Sequence, residues 1–185
     1  MEIIQTAIPD VKIIAPRVFK DERGYFFESF NKRRFTELVG NYNFVQDNQS
    51  QSTRGVLRGL HYQIGERAQA KLVQVLQGEV LDVAVDIRKG SPTFGKHVTA
   101  VLSSENKHQM LVPRGFAHGF LVLSDIAIFS YKCDNYYDAS SERGIIFNDP
   151  ALHLKWGDQE TFILSEKDKM LPLLQDADVF EYNTL

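Results

Sequence analysis

Residues 80–88 read Val-Leu-Asp-Val-Ala-Val-Asp-Ile-Arg, an alternation with a period of two. Leu81, Val83, Val85 and Ile87 share one face, and Asp82, Ala84, Asp86 and Arg88 share the other. That is the pattern of a β-strand and not of a helix. Other short runs rich in β-branched and aromatic residues lie between turn signals at 24–30, 56–63, 71–76, 97–102, 109–112, 117–122, 126–133 and 144–147. Gln77-Gly78, between two such runs, predicts a tight hairpin. Two segments read as helix. Asn31 can cap the first, with Phe35, Leu38 and Val39 as its apolar stripe and Gly40 as its end. Ser165-Glu166-Lys167-Asp168 fits a capping box opening a second, shorter one. Many short strands with few helices predict a mainly β sandwich or barrel, preferably a double-sheet jelly roll. The open mouth of such a barrel is where a ligand would sit.

The 185 residues suit one domain spanning 1–185, with no repeat, linker or low-complexity tract to divide it. No apolar run approaches the length that crosses a bilayer, and the start is neither a signal nor a transit peptide, so a cytoplasmic protein with no membrane partner is expected. A net charge of −3 offers no basic field for nucleic acid. Cys133 is the only cysteine, which rules out an intramolecular disulfide framework and a multi-cysteine metal site.

Polar side chains nevertheless collect inside the strand-like runs. The densest is Arg54-Gly-Val-Leu-Arg58-Gly59-Leu-His61-Tyr-Gln63, followed by Pro113-Arg-Gly115-Phe-Ala-His118-Gly-Phe120, Phe129-Ser-Tyr131-Lys-Cys133, the stretch from Arg23 to Glu28, and Gln46-Asp47-Asn48. Arg58 and His61 are three apart, so a regular strand points them to opposite faces. If both line one pocket the strand is irregular, and Gly59 is the natural place for a bulge or a close backbone approach.

Pro113, Gly115 and His118 match the second motif of the cupins, and His61 stands where the first would begin. Gln63 replaces the second histidine of that motif, which argues against a metal. Together with Lys71-Leu-Val-Gln-Val and Gly78-Glu-Val-Leu-Asp-Val-Ala-Val-Asp86-Ile-Arg88, these segments resemble the dTDP-4-dehydrorhamnose 3,5-epimerase family, from Asp21-Glu-Arg-Gly24 to Leu164-Ser-Glu-Lys-Asp168. The resemblance implies a cupin (double-stranded β-helix) barrel. It implies double epimerisation at C3 and C5 of dTDP-4-dehydro-6-deoxy-D-glucose, on the route to dTDP-L-rhamnose and polysaccharide, with no cofactor.

The same resemblance implies roles. His61 is the base, Asp168 fixes its tautomer, Lys71 faces the C4 oxygen, and Tyr131 is the acid on the other face of the sugar. Arg23, Glu28, Gln46, Asn48, Arg58, His118, Glu142 and Lys167 are substrate contacts, Arg58 being suited to a diphosphate. Phe19 or Phe26 would stack on the base. A homodimer is implied, with the amino-terminal segment reaching across it. Asp82 is a further candidate liner of the pocket. Other readings stay open on residues alone. Asp168 could be a helix cap, Tyr131 a core aromatic, Lys71 a solvated strand end, and Arg23 and Glu28 unrelated surface charges. A single-centre epimerase, a 4-keto sugar isomerase, a non-catalytic sugar-nucleotide-binding cupin and a metal-dependent dioxygenase are the competing functions; Gln63 disfavours the last.

Overall fold

The structure, a computed structural model, describes residues 1–157 and 161–184. In chain order it holds β1 (Glu2–Gln5), β2 (Lys12–Ala15), β3 (Phe19–Asp21), β4 (Gly24–Phe26), α1 (Lys32–Leu38), β5 (Gln46–Thr53), β6 (Leu57–Gln63) and β7 (Lys71–Gln77). There follow β8 (Glu79–Asp86), β9 (Arg88–Lys89), β10 (His97–Ser103), β11 (Gln109–Val112), β12 (Phe116–Val122), β13 (Ile126–Cys133), β14 (Glu142–Gly144), α2 (Glu166–Lys169) and β15 (Phe180–Glu181). Two antiparallel sheets carry the fold, one in the order β1-β2-β11-β7-β13-β5 and the other β10-β8-β12-β6-β14. This is the expected jelly roll.

Three apolar layers hold it. Val73, Val75, Met110, Val112 and Phe129 of the first sheet meet Val80, Ala84, Val98, Leu102, Phe120 and Val122 of the second. The outer face of the second sheet, with Leu57, Leu60, Val83, Val85 and Ile87, is covered by Ile145, Leu152, Trp156, Leu174 and Phe180 of the carboxy-terminal segment. The outer face of the first, with Ile14, Leu72 and Leu111, is covered by Phe35 of α1. Both faces of β8 are therefore buried. Asp82 and Asp86 have no exposed surface at all, so each must find partners inside. Asp86 takes bonds from Arg88, Ser91 and Thr93.

Several expectations need correction. Gln77-Gly78 does not close a hairpin, because β7 and β8 belong to different sheets and the turn carries the chain across the sandwich. Gly78 is required there: its φ is +79°, and a Cβ would stand 2.1 Å from the Ile126 carbonyl oxygen. Leu38 does not join the stripe of α1. It is exposed, while Phe35 is buried and Val39 packs beside it, because a seven-residue helix offers the sheet only one turn. The strand expected at 24–30 stops at Phe26, where its partner β3 ends. The one expected at 144–147 is displaced to Glu142–Gly144. β5, Gln-Asp-Asn-Gln-Ser-Gln-Ser-Thr, escapes a hydrophobic pattern because it is a polar edge strand, ordered by eight residues of pairing with β13.

Candidate active site

β6 and β12 run side by side with His61 directly opposite His118, then Arg58 opposite Phe120. Two positions separate the residues on β12 and three on β6, so the register slips at Gly59. The slip turns Arg58 and His61, three apart, into one cavity, as the spacing required. Gly59 has φ +126°, and a Cβ on it would lie 2.6 Å from the Gly119 Cα and 2.8 Å from the His118 carbonyl oxygen. Only glycine allows that approach.

The cavity, about 420 Å³, opens between the two sheets and has the size of a small-ligand site. His61, Arg58, His118 and Phe120 come from the second sheet; Lys71, Phe129 and Tyr131 come from the first; Lys167 and Asp168 come from α2. Phe120 and Phe129 stack across the gap at 4.1 Å between ring centroids and fix the spacing of the two walls.

His61 Nε2 lies 2.8 Å from Asp168 Oδ1. Asp168 is buried, takes a longer bond from the Gly59 amide, and is also the residue whose backbone N–H the Ser165 hydroxyl caps. The capping and catalytic readings of Asp168 are thus compatible: the cap builds the short helix that aims its carboxylate. Burial alone would raise the Asp168 pKa, but the hydrogen bond and charge of His61, with the Gly59 and Ser165 contacts, hold it below the ordinary value. A carboxylate accepts from Nε2–H, so Nδ1 is the nitrogen with a free lone pair. Among the described residues Nδ1 has no hydrogen-bond partner.

Lys71 opens β7 opposite Cys133, and its Nζ lies 3.5 Å from the His61 carbonyl oxygen and 6.0 Å from the Tyr131 ring centre. Burial pushes its ammonium below the usual lysine range, against the opposing pull of Cys133, Asp82 and Glu142. Burial also pushes the Tyr131 phenol up, so it keeps its proton. His118 Nε2 faces Asp82 at 2.9 and 3.1 Å. Asp82 therefore stands behind His118 and does not line the cavity, and Asp86 is remote from it.

Gln46 and Asn48, bonded to each other at 3.0 Å, line an adjoining pocket that shares His61, Lys71, Tyr131 and Glu142. Glu142 pairs with Lys167 at 2.6 Å and accepts from the Tyr137 hydroxyl at 2.8 Å. Burial would raise its pKa, but these two partners hold it low. Gln63, at the position of the missing second cupin histidine, braces loops instead: its amide donates to Arg67 and Tyr136 carbonyls and its oxygen accepts from the Asp138 amide.

Arg23, Glu28, Phe19 and Phe26 are not brought to the cavity. The β3–β4 hairpin stands out from the sandwich with Phe26 71% exposed; Arg23 pairs with Asp21, and Glu28 with Asn31 and Arg34. Sequence reasoning missed Ser50, Phe120 and Ser165 as cavity residues and Ser52, which accepts from Arg58 Nε at 3.1 Å. The alternation of polar residues along β5 was the one available signal for the two serines.

A jelly roll whose two sheets present an aspartate-paired histidine, a tyrosine and a lysine to one cavity has the architecture of a cupin-type enzyme. The family model described as dTDP-4-dehydrorhamnose 3,5-epimerase matches residues 5–176. The chain belongs to that family of isomerases. It is 57% identical to a dTDP-4-dehydrorhamnose 3,5-epimerase of Salmonella typhimurium, over 96% of this chain and 97% of the relative. A dTDP-6-deoxy-D-glucose-3,5-epimerase of Legionella pneumophila, solved with dTDP-4-keto-L-rhamnose, superposes with a TM-score of 0.95 at 53% identity, covering 98% of each chain. More distant is a 3'-monoepimerase of Streptomyces bikiniensis, solved with dTDP-quinovose: TM-score 0.88, 32% identity, 92% of this chain and 87% of that one.

Proposed function

We propose that this cavity inverts C3 and C5 of a dTDP-linked 4-keto-6-deoxy sugar, the activity of a dTDP-4-dehydrorhamnose 3,5-epimerase, by proton abstraction and return. The observation that carries the reading is that His61 and Tyr131 face one cavity from opposing walls. His61 comes from β6 of one sheet and Tyr131 from β13 of the other, with Lys71 between them. His61 Nδ1 takes the proton from the carbon beside the ketone, and Asp168 stabilises the imidazolium that forms. The C4 oxygen gains the negative charge, and the Lys71 ammonium is the donor placed to meet it. Tyr131 gives its proton to the carbon from the opposite face, which inverts the centre. The ketone acidifies both neighbouring carbons, so one constellation serves C3 and C5. The substrate is its own electron sink, and the scheme uses no cofactor.

Arg58 and His118 line the same cavity and suit the diphosphate and sugar. Gln46, Asn48, Glu142 and Lys167 extend the polar wall. The exposed hairpin with Phe19, Arg23 and Phe26, and Glu28 just beyond it, supports a homodimer in which these residues complete the nucleotide site of the second subunit. The remaining readings are that 1–185 act as one domain and that the enzyme works in the cytoplasm.

The test is solvent exchange. In D2O the wild-type chain with dTDP-4-dehydro-6-deoxy-D-glucose should place deuterium at C3 and C5, read by NMR, and His61→Ala should abolish both. Deuterium at one carbon only would make this a single-centre epimerase, and none at either would end the proposal.

A further inference from the structure

One face of β5 is a row of polar side chains with a period of two. Gln46, Asn48, Ser50 and Ser52 are turned inward, and Asp47, Gln49, Gln51 and Thr53 between them are exposed. Gln46 and Asn48 line the adjoining pocket, and Ser50 lines the cavity. Ser52 is the buried one of the four and lines neither; its hydroxyl oxygen accepts from Arg58 Nε at 3.1 Å. The two residues face each other across the corner where the chain leaves the first sheet for the second. That corner is closed by the Val56 N–H on the Thr53 carbonyl at 3.1 Å, with Gly55 at φ +83°.

The cationic or potentially cationic side chains of the cavity are Arg58, His61, Lys71, His118 and Lys167. His61 faces Asp168, His118 faces Asp82, and Lys167 pairs with Glu142. Lys71 points at the His61 carbonyl oxygen. Arg58 is exposed and pairs with no carboxylate among the described residues, so its charge is the one left for an anion. Ordering so long a side chain on binding costs conformational entropy, and a bond that sets it beforehand lowers that cost. Nε is the atom held; Nη1 and Nη2 have no hydrogen-bond partner among the described residues, and that edge of the guanidinium can grip a phosphate bidentately. Serine is a neutral acceptor. A carboxylate in its place would also fix the guanidinium, but it would compete with the phosphate for the same charge.

We propose that Ser52 is a positioning residue for substrate binding: it holds Arg58 by Nε–H and leaves the Nη1–Nη2 edge free for the diphosphate of the nucleotide. The proposal rests on the reading of Arg58 given above.

The experiment is a double-mutant cycle in the full chain: Ser52→Ala, Arg58→Met, and both together. Kd for dTDP is read by titration calorimetry, and KM and kcat by turnover. Ser52→Ala should weaken dTDP and raise KM about tenfold, with a smaller change in kcat. Added to Arg58→Met, it should move the dTDP affinity by less than about twofold, because a residue that acts through the guanidinium has nothing to act on once it is gone. Should Ser52→Ala lack a cooperative melt, Ser52→Gly takes its place. Equal losses in the two backgrounds would make Ser52 merely structural and overturn the proposal, and so would a wild-type Kd for dTDP in Ser52→Ala. If Arg58→Met binds dTDP like wild type, the reading of Arg58 has failed and the proposal falls with it; if Arg58→Met is weakened and Ser52→Ala is not, only the role of Ser52 has failed.

Discussion

Asp168→Asn tests the histidine–carboxylate pair most directly. The substitution keeps the shape of the side chain and removes its charge. In the wild-type site Oδ1 lies 2.8 Å from His61 Nε2, and Oδ2 lies 3.4 Å from the Gly59 nitrogen. Both neighbours are N–H donors, so the aspartate needs two acceptors and an asparagine has one. If the amide oxygen faces His61, its NH2 meets the Gly59 N–H and a buried donor goes unsatisfied, at roughly 1–3 kcal/mol. If the amide turns round, its NH2 faces Nε2, the proton moves to Nδ1, and the base is lost. In either state the imidazolium formed on proton abstraction loses a charge-assisted bond, a further difference of about 1–2 kcal/mol. Together these raise the barrier by roughly 3 kcal/mol, or about two orders of magnitude in kcat at 1.36 kcal/mol per tenfold. KM should change little, because the imidazole still fills its place. The assay is the deuterium exchange at C3 and C5 beside steady-state turnover, with thermal melting as the check on folding. A folded Asp168→Asn protein within threefold of wild-type kcat would refute the assignment of Nδ1 as the base and of Asp168 as its support.

Tyr131→Phe should slow net epimerisation at least tenfold while exchange from the His61 side continues, and NMR would show deuterated substrate of unchanged configuration; equal loss of exchange and inversion would count against separate faces for base and acid. kcat should fall on the basic side below the ordinary lysine range, because burial has lowered the Lys71 pKa and the ammonium is lost as pH rises through it, whereas the raised Tyr131 phenol still holds its proton; a basic limb in the ordinary lysine range or above it would contradict this. Gly59→Ala should destabilise by roughly 3 kcal/mol, from positive φ and backbone crowding against Gly119, and lower the melting temperature by about 10 °C, read by calorimetry.

How far the sequence alone reached follows from what each signal measures. Period-two alternation reports the two faces of a strand, so a β-rich chain was legible from residues 80–88 and their like. Local caps were legible too, since Asn31 and Ser165 each bond a backbone N–H three residues on. Motif resemblance named the chemistry-bearing side chains, and the irregularity at Gly59 followed from placing Arg58 and His61 in one pocket. Periodicity says nothing of which strand lies beside which. That is why Gln77-Gly78 read as a hairpin when the turn crosses between sheets, and why the polar strand β5 went unseen. The pairing of His61 with Asp168 spans 107 residues, and that of His118 with Asp82 spans 36. Tyr131 and His61 stand on opposite walls only because two sheets pack face to face. The sequence determined which groups exist and which local turns they favour. Long-range packing decided which of them meet, because a contact between distant residues exists only after the sheets that carry them have closed on a common core.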